Sequence, residues 1–420
     1  MLNILAIANL VFFAAFSLMH VVMAYLFHRY LTRTKQIALP PDYAPKAVVV
    51  LCLRGRDPYL RDTLLSLFKQ DYPNYSIKVV IDSVIDPSWQ TVAEIAAQCG
   101  DVRLEYQDLR QRLKTCSLKC SSIVQAVESM ADDDEILVLS DADVVPHSSW
   151  LSELVAPLSQ PDIGVSTGSQ WFDPRHGDWG SLIRNVWHAG AIIPTVLYSN
   201  PWAGSCAMRI QDVHNSGLLD RWKTTIVDDG PVCEVYRPQK LRIHVVPSLV
   251  IVNREECSVA FCFRYIRRML TWSRIYESTF LLTPLHMFGM VISILVAILL
   301  IVVGLLTGDW PVVTMATLGA GIFAASIITC YLLVHAAVAK VIGKRGEILP
   351  RMTALRLLAL ALLFPVAIFI YASVLFPAMF ARRVKWREVT YEINGRWDIK
   401  LIDDKPYPTV PNDLERATSV

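Results

Sequence analysis

Residues 136–143 read Ile-Leu-Val-Leu-Ser-Asp-Ala-Asp. A short unbroken apolar run that stops at acid marks a strand buried on both faces, with carboxylates at its carboxyl end. Two further strand-like runs lie upstream. Ala47–Leu53 (AVVVLCL) is continuous, and Ile77–Ile81 (IKVVI) runs straight into Asp82, with Asp86 four residues on. Between them the apolar spacing predicts helices over Tyr59–Gln70, near Trp89–Ala97 and over Ser121–Met130, with a short strand at Val102–Tyr106. Strand–helix alternation of this order predicts an α/β domain with a largely parallel, Rossmann-like sheet and right-handed crossovers. Such sheets bind ligands at the carboxyl ends of their strands, where these acids fall.

Asp141 and Asp143 sit one residue apart just beyond the third of these strands. Paired carboxylates in that place suit a hard divalent cation, Mg²⁺ or Mn²⁺, which can clamp a diphosphate and neutralise its charge as it leaves. Asp also favours plain turns, but a turn does not require a buried strand in front of it. A further acidic pair stands at Asp228-Asp229-Gly230-Pro231, ahead of a short helix expected at Val232–Arg237. A carboxylate there caps the helix, and the same group can serve as a base.

The chain has 420 residues, of which 53% are apolar and 19% charged. That apolar excess excludes a wholly soluble or a disordered chain. With 40 basic against 38 acidic residues there is no global field for nucleic acid. The excess sits at the ends. Leu2–Phe27 is almost uncharged and long enough to span a bilayer, and His28, Arg29, Arg33 and Lys35 follow it, which sets the next segment on the cytosolic side. Later runs cover roughly Pro284–Leu306, Val312–Val338 and Thr353–Phe380. A third late crossing would place Arg382, Arg383 and Lys385 outside, against the charge rule, so Thr353–Phe380 is expected to form a re-entrant or interfacial hairpin kinked at Pro365, with a simple third span as the alternative. The expected plan is an anchor at 1–28, a cytosolic domain at 40–256, an interface helix at 257–280, a membrane region at 281–380 and a cytosolic tail at 381–420. Nine scattered cysteines, with no completed zinc pattern, fit a reducing compartment.

Phe261–Tyr276 (FCFRYIRRMLTWSRIY) is the interface helix. At 100° per residue Arg264, Arg267, Arg268 and Arg274 share one face, and Tyr265, Ile266, Met269, Trp272 and Tyr276 mostly cover the other. This predicts a helix lying in the membrane surface, basic heads up, with some arginines free to bind a substrate diphosphate.

Buried strand, acid, DxD, later acidic pair and Arg/Trp helix before membrane spans together resemble the family 2-type (GT-A fold) inverting glycosyltransferases. The arrangement is most similar to ceramide glucosyltransferases and bacterial glycolipid synthases. Leu64-Leu65-Ser66-Leu67 with Gln70-Asp71-Tyr72-Pro73 resembles that family's L-x-S-L…Q-x-Y-P. The resemblance implies that Asp82 contacts the nucleoside, Lys119 the donor phosphate, Asp141 and Asp143 nucleotide and metal, and that Asp229 is the general base. Gly204-Ser205-Cys206 with Arg209 resembles a G-x-C-x-x-R loop, and Trp386-Arg387 with Tyr391 a W-R-G-x-x-Y tail segment with Glu388 in place of glycine. Arg268-Met269-Leu270-Thr271-Trp272 matches the Q/R-x-x-R-W motif at Arg268 and Trp272 but carries Thr271 for the second Arg; Arg274 or Arg267 is expected to compensate from the basic face. The first strand ends Cys52-Leu53-Arg54-Gly55 instead of the family's Pro-x-x-Asn. The implied activity is transfer of a hexose from a UDP-sugar to a sphingoid or diacylglycerol lipid, by a multi-pass membrane protein with its catalytic domain in the cytosol. Two alternatives are a processive polysaccharide synthase and a catalytically dead, membrane-anchored sugar-nucleotide-binding protein.

Overall fold

A computed structural model describes residues 1–100, 103–174, 177–404 and 407. In chain order the elements are α1 (Leu2–Arg33), β1 (Ala47–Leu53), α2 (Leu60–Leu67), β2 (Tyr75–Ile81), α3 (Pro87–Cys99), β3 (Leu104–Asp108), α4 (Leu118–Glu128), β4 (Ile136–Ser140), α5 (Trp150–Val155), β5 (Ile163–Phe172), α6 (Trp179–Leu197), β6 (Ser205–Arg209), α7 (Ile210–Ser216), α8 (Leu218–Trp222), α9 (Val232–Tyr236), β7 (Arg242–Asn253), α10 (Val259–Tyr276), α11 (Leu282–Thr307), α12 (Trp310–Gly343), α13 (Ala354–Met379), β8 (Arg383–Trp386), β9 (Val389–Gly395) and β10 (Asp398–Asp403). The chain divides into two compact units. One comprises Met1–Thr34, Trp171–Tyr198 and Arg254–Met379; the other comprises Lys35–Gln170, Ser199–Asn253 and the segment from Phe380 onward.

The second unit is built on a seven-stranded sheet of order β3-β2-β1-β4-β6-β5-β7. The β1 run AVVVLCL pairs in parallel with both β2 and β4, as a strand apolar on both faces requires. Its register sets Leu53 beside Ile81 and Leu51 beside Ser140, so Asp82 and Asp141 emerge from one edge of the sheet. Val49, Leu51, Ile77, Val79 and Val138 are buried with Leu64 and Leu67 of α2, Val92 and Ile95 of α3 and Trp150 of α5. Each such side chain contributes about 1.5–3 kcal/mol by leaving water. The expected parallel order holds for β1 to β4, and then β6 joins β4 antiparallel. The expected strand at Val102–Tyr106 is found as β3, Leu104–Asp108; residue 102 lies outside the described residues. Strands β8, β9 and β10 form a separate antiparallel sheet within the same unit. Of the tail read at 381–420, residues 405, 406 and 408–420 lie outside the described residues.

The first unit is helical. Among the described residues, α1, α11, α12 and α13 are long and apolar enough to cross a membrane. α11 ends at Gly308, in the left-handed region at φ +72°, and α12 starts at Asp309, whose side chain accepts from Val312 N at 3.4 Å, with Pro311 in the first turn. The expected reversal at Pro365 does not occur. α13 runs unbroken through Pro365 and Pro377. A proline removes one backbone bond and kinks a helix, but apolar helices tolerate it where neighbours supply packing.

α10 also departs from expectation. Its apolar side, Phe261, Ile266 and Leu270, is buried in a cluster with Ile183 of α6, Met287 of α11 and Leu375 of α13, so it faces protein and not lipid. An amphipathic stripe is satisfied by any apolar partner. Thr271, expected on the basic face, is 1% exposed, and its hydroxyl donates to Arg267 O at 2.9 Å.

Candidate active site

The acids converge at the carboxyl edge of the sheet. Ser117 caps α4 by accepting from Cys120 N at 3.1 Å, which fixes Lys119 in the first turn. From there Lys119 Nζ lies 2.6 Å from Asp141 Oδ1 and 2.7 Å from Asp228 Oδ2. One ammonium therefore holds two carboxylates that are far apart in sequence. Burial alone would push Lys119 down, but Asp141 and Asp228 outweigh it and hold the group well above its ordinary range. Asp228 was read only as the neighbour of Asp229; its pairing with Lys119 has no local sequence signal.

Asp229 follows directly and is partly buried. Its pKa is pushed up to about 7, first by burial of the carboxyl and then by the charge of Asp228, with Lys119 pulling the other way. A carboxyl tuned to this range can accept a proton near neutral pH, as a general base must.

Asp143 is buried, and its Oδ2 accepts from Asn253 Nδ2 at 2.7 Å. Asp141 and Asp143 thus flank Ala142 at the strand end, each oriented by a partner. Among the described residues no group of three or more His, Cys, Asp and Glu side chains gathers as a metal cage. Two carboxylates still fit a Mg²⁺-like ion, which keeps waters and completes its shell with substrate phosphates.

Asp82 is 2% exposed, and Arg54 Nη1 donates to its Oδ2. Arg112 Nη2 lies 3.1 Å from Asp82 Oδ1 and donates to its carbonyl at 2.7 Å. Burial holds the Asp82 carboxyl above its ordinary range, and Arg54 and Arg112 offset only part of that rise. Asp86 caps α3 through Ser88 N at 2.9 Å, and its other oxygen accepts from Gly55 N at 2.8 Å. Gly55 has φ +77°, a backbone conformation that favours glycine, and its Cα faces the Tyr407 ring. Arg54, at the position where the first strand departs from the resembled family, was not read as a site residue.

The tail segment braces this edge. Arg54 Nε donates to Arg387 O at 2.9 Å, and Arg387 Nη2 lies 3.4 Å from Asp57 Oδ2. Tyr391 Oη accepts from Leu118 N at 3.2 Å, immediately before Lys119. Arg112 Nη1 lies 2.5 Å from Asp404 Oδ1. Arg209 is structural: it bonds Leu158 O and Ile163 O, each at 2.8 Å, and Asp212.

Arg268 and Trp272 lie on α10 in the other unit. Arg268 is half-buried over the Tyr265 ring, 5.7 Å from its centroid. Arg274, expected to stand in for the missing arginine, donates instead to Met379 O at 2.8 Å, at the end of α13.

Among curated proteins no relative matches the chain. Among solved structures it is similar to a mannosyltransferase from Pyrobaculum calidifontis, in complex with GDP-Man and Mn²⁺. That likeness covers 90% of this chain and 99% of the other at 16% identity, with a TM-score of 0.51, and shows a common GT-A-like fold. Similarity to a glucosyl-3-phosphoglycerate synthase from Mycobacterium tuberculosis, bound to Mn²⁺, UDP and glucosyl-3-phosphoglycerate, is lower. It covers 54% of this chain and 80% of that one at 14% identity, with a TM-score of 0.36. The model of glycosyl transferase family 21 matches residues 10–398, nearly the whole chain, and the chain belongs to that family.

Proposed function

We propose that this glycosyltransferase moves a hexose from a UDP-sugar to the hydroxyl of a membrane lipid of sphingoid or diacylglycerol type, with inversion at the sugar carbon. In its motifs the chain resembles the ceramide glucosyltransferases. The observation that carries this reading is the cluster of Lys119, Asp141, Asp228 and Asp229 at one edge of the sheet. Asp229 takes the proton of the acceptor hydroxyl, and the oxygen attacks the sugar carbon from the face opposite the leaving diphosphate. Lys119 supplies positive charge to that leaving group, and Asp228 holds Lys119 in place. A divalent cation held by Asp141 and Asp143 would add further neutralisation of the diphosphate when bound. Asp82, with Arg54 and Arg112, forms the nucleoside end. Arg268 and Trp272 enter this reading through their motif on α10.

A lipid acceptor is supported by the helices long enough to cross a membrane. The basic residues after α1 support a cytosolic sheet domain. The test is incubation of membranes with labelled UDP-glucose or UDP-galactose, then lipid extraction and mass spectrometry. A single-hexose lipid supports the reading, and a polymer or no Asp229-dependent product opposes it.

A further inference from the structure

We infer that α13 does not cross the membrane, although its length and composition would allow it. It enters and leaves on the face that carries the seven-stranded sheet, and its exposed stripe is a surface half-immersed in that leaflet.

The first ground is parity. The chain leaves the sheet unit after β7 at Asn253 and returns to it at Phe380. After the return, β8–β10 are bonded into that unit: Leu401 N donates to Lys114 O at 2.9 Å, and Arg396 Nη1 lies 2.9 Å from Glu234 Oε2. A chain that leaves one side and comes back to it must cross an even number of times. α11, α12 and α13 are three candidates, so they cannot all cross.

The second ground is packing. α11 and α12 are joined by the tight Gly308–Asp309 turn and pack on one another and on α1. Asn9 of α1 donates to Ser293 O of α11 at 3.0 Å, and a Cβ on Gly319 of α12 would sit 3.1 Å from the Phe13 ring. α13 instead packs chiefly on α10 and α6. Trp187 of α6 and Tyr371 of α13 have ring centroids 6.4 Å apart, and Arg274 of α10 binds the last carbonyl of α13. Neither α6 nor α10 is a candidate span. α6 is a lone helix between β5 and β6, so it too must begin and end on the sheet side.

The third ground is charge. Basic residues flank both ends of α13: Lys344, Arg345 and Arg351 before it, Arg382, Arg383 and Lys385 after it. The α11–α12 turn carries only Asp309. Like flanks at both ends place both on one side. The lipid-facing stripe is Leu355, Leu358, Leu362, Val366, Phe369 and Phe376, all exposed and spaced on one helical face. Leu363, Ala367, Ile370, Val374 and Ala378, on the other face, are buried. The conclusion is independent of which sugar or lipid the enzyme uses.

The test is side-specific labelling of the full-length protein in sealed vesicles with a membrane-impermeant maleimide, read peptide by peptide by mass spectrometry. Cys99 is exposed and marks the sheet side. Lys344→Cys and Arg383→Cys bracket α13, and Trp310→Cys marks the α11–α12 turn. Labelling of 344 and 383 from the same side as Cys99, with 310 labelled from the other, is expected. Labelling of 344 and 383 from opposite sides overturns the inference. Should Arg383→Cys fail to fold, Lys400→Cys on exposed β10 reports the same side.

Discussion

The sharpest consequence of the acid cluster is a pH profile that moves when a neighbour of the base is neutralised. Asp229 has its pKa raised to about 7, with burial as the first cause and Asp228 as the second. A raised carboxyl pKa means the basic form is present above it and lost below it, so kcat/KM falls about tenfold per pH unit on the acid side of that value. Replacing Asp228 with Asn removes the like charge and leaves Lys119 paired with Asp141 alone, and both changes favour ionised Asp229. Because burial is the larger cause and remains, the acid limb should move down by about one pH unit and not disappear. Asp229→Asn should remove the limb and lower kcat by about 10²–10⁴-fold, which is about 3–5 kcal/mol of barrier. The assay is hexose transfer to lipid in detergent from pH 5 to pH 9, with donor below its KM for the acid limb and saturating donor for kcat. An unmoved limb in Asp228→Asn, or near wild-type kcat in Asp229→Asn, would refute the assignment of the base.

Other consequences reach beyond the base. The same raised pKa destabilises the folded protein increasingly from the ordinary value of 3.8 up to about 7, so the Tm advantage of Asp229→Asn should grow across that window and then level off. Lys119→Met leaves Asp228, 5% exposed, without its cation; it should cost about 3 kcal/mol of stability as well as activity, read by denaturant unfolding and turnover. Arg184 is 1% exposed, lies 2.8 Å from Glu255 and stacks 4.2 Å from Phe172; Arg184→Met removes one partner of a buried ion pair and should destabilise the helical unit by about 3–5 kcal/mol. Gly180→Ala would bring a Cβ within 2.3 Å of the Cys257 carbonyl oxygen, and backbone cannot yield as a side chain does; a lower Tm in detergent is expected. Chelation should abolish transfer, and Mn²⁺ or Mg²⁺ should restore it.

The parts of the fold visible in the sequence are those written in local pattern. AVVVLCL, IKVVI and ILVLS read as strands from their apolar runs, and each is one. Asp82 and Asp141 were placed by that reading, because the acid follows the strand. The missing parts depend on partners or on unusual turns. β8 and β9 are joined through Arg387 and Glu388, both at positive φ, +44° and +65°. Such a turn normally carries Asn-Gly, so Arg-Glu gives no hairpin signal. The Lys119–Asp228 pair joins residues from α4 and a distant loop, which spacing cannot reveal. Thr271 was misplaced because a helical projection gives angles but not which neighbour covers the face. Pro365 suggested a reversal, yet α13 continues through it, packed chiefly on α10 and α6.

Product analysis of membranes holding the intact enzyme, supplied with a UDP-sugar, tests the account most directly when wild type and Asp229→Asn are compared side by side. The account predicts one hexose added to a lipid hydroxyl, with inverted configuration, in wild type and almost none in the variant. Equal product in both, or a growing sugar chain in place of a singly glycosylated lipid, would contradict it.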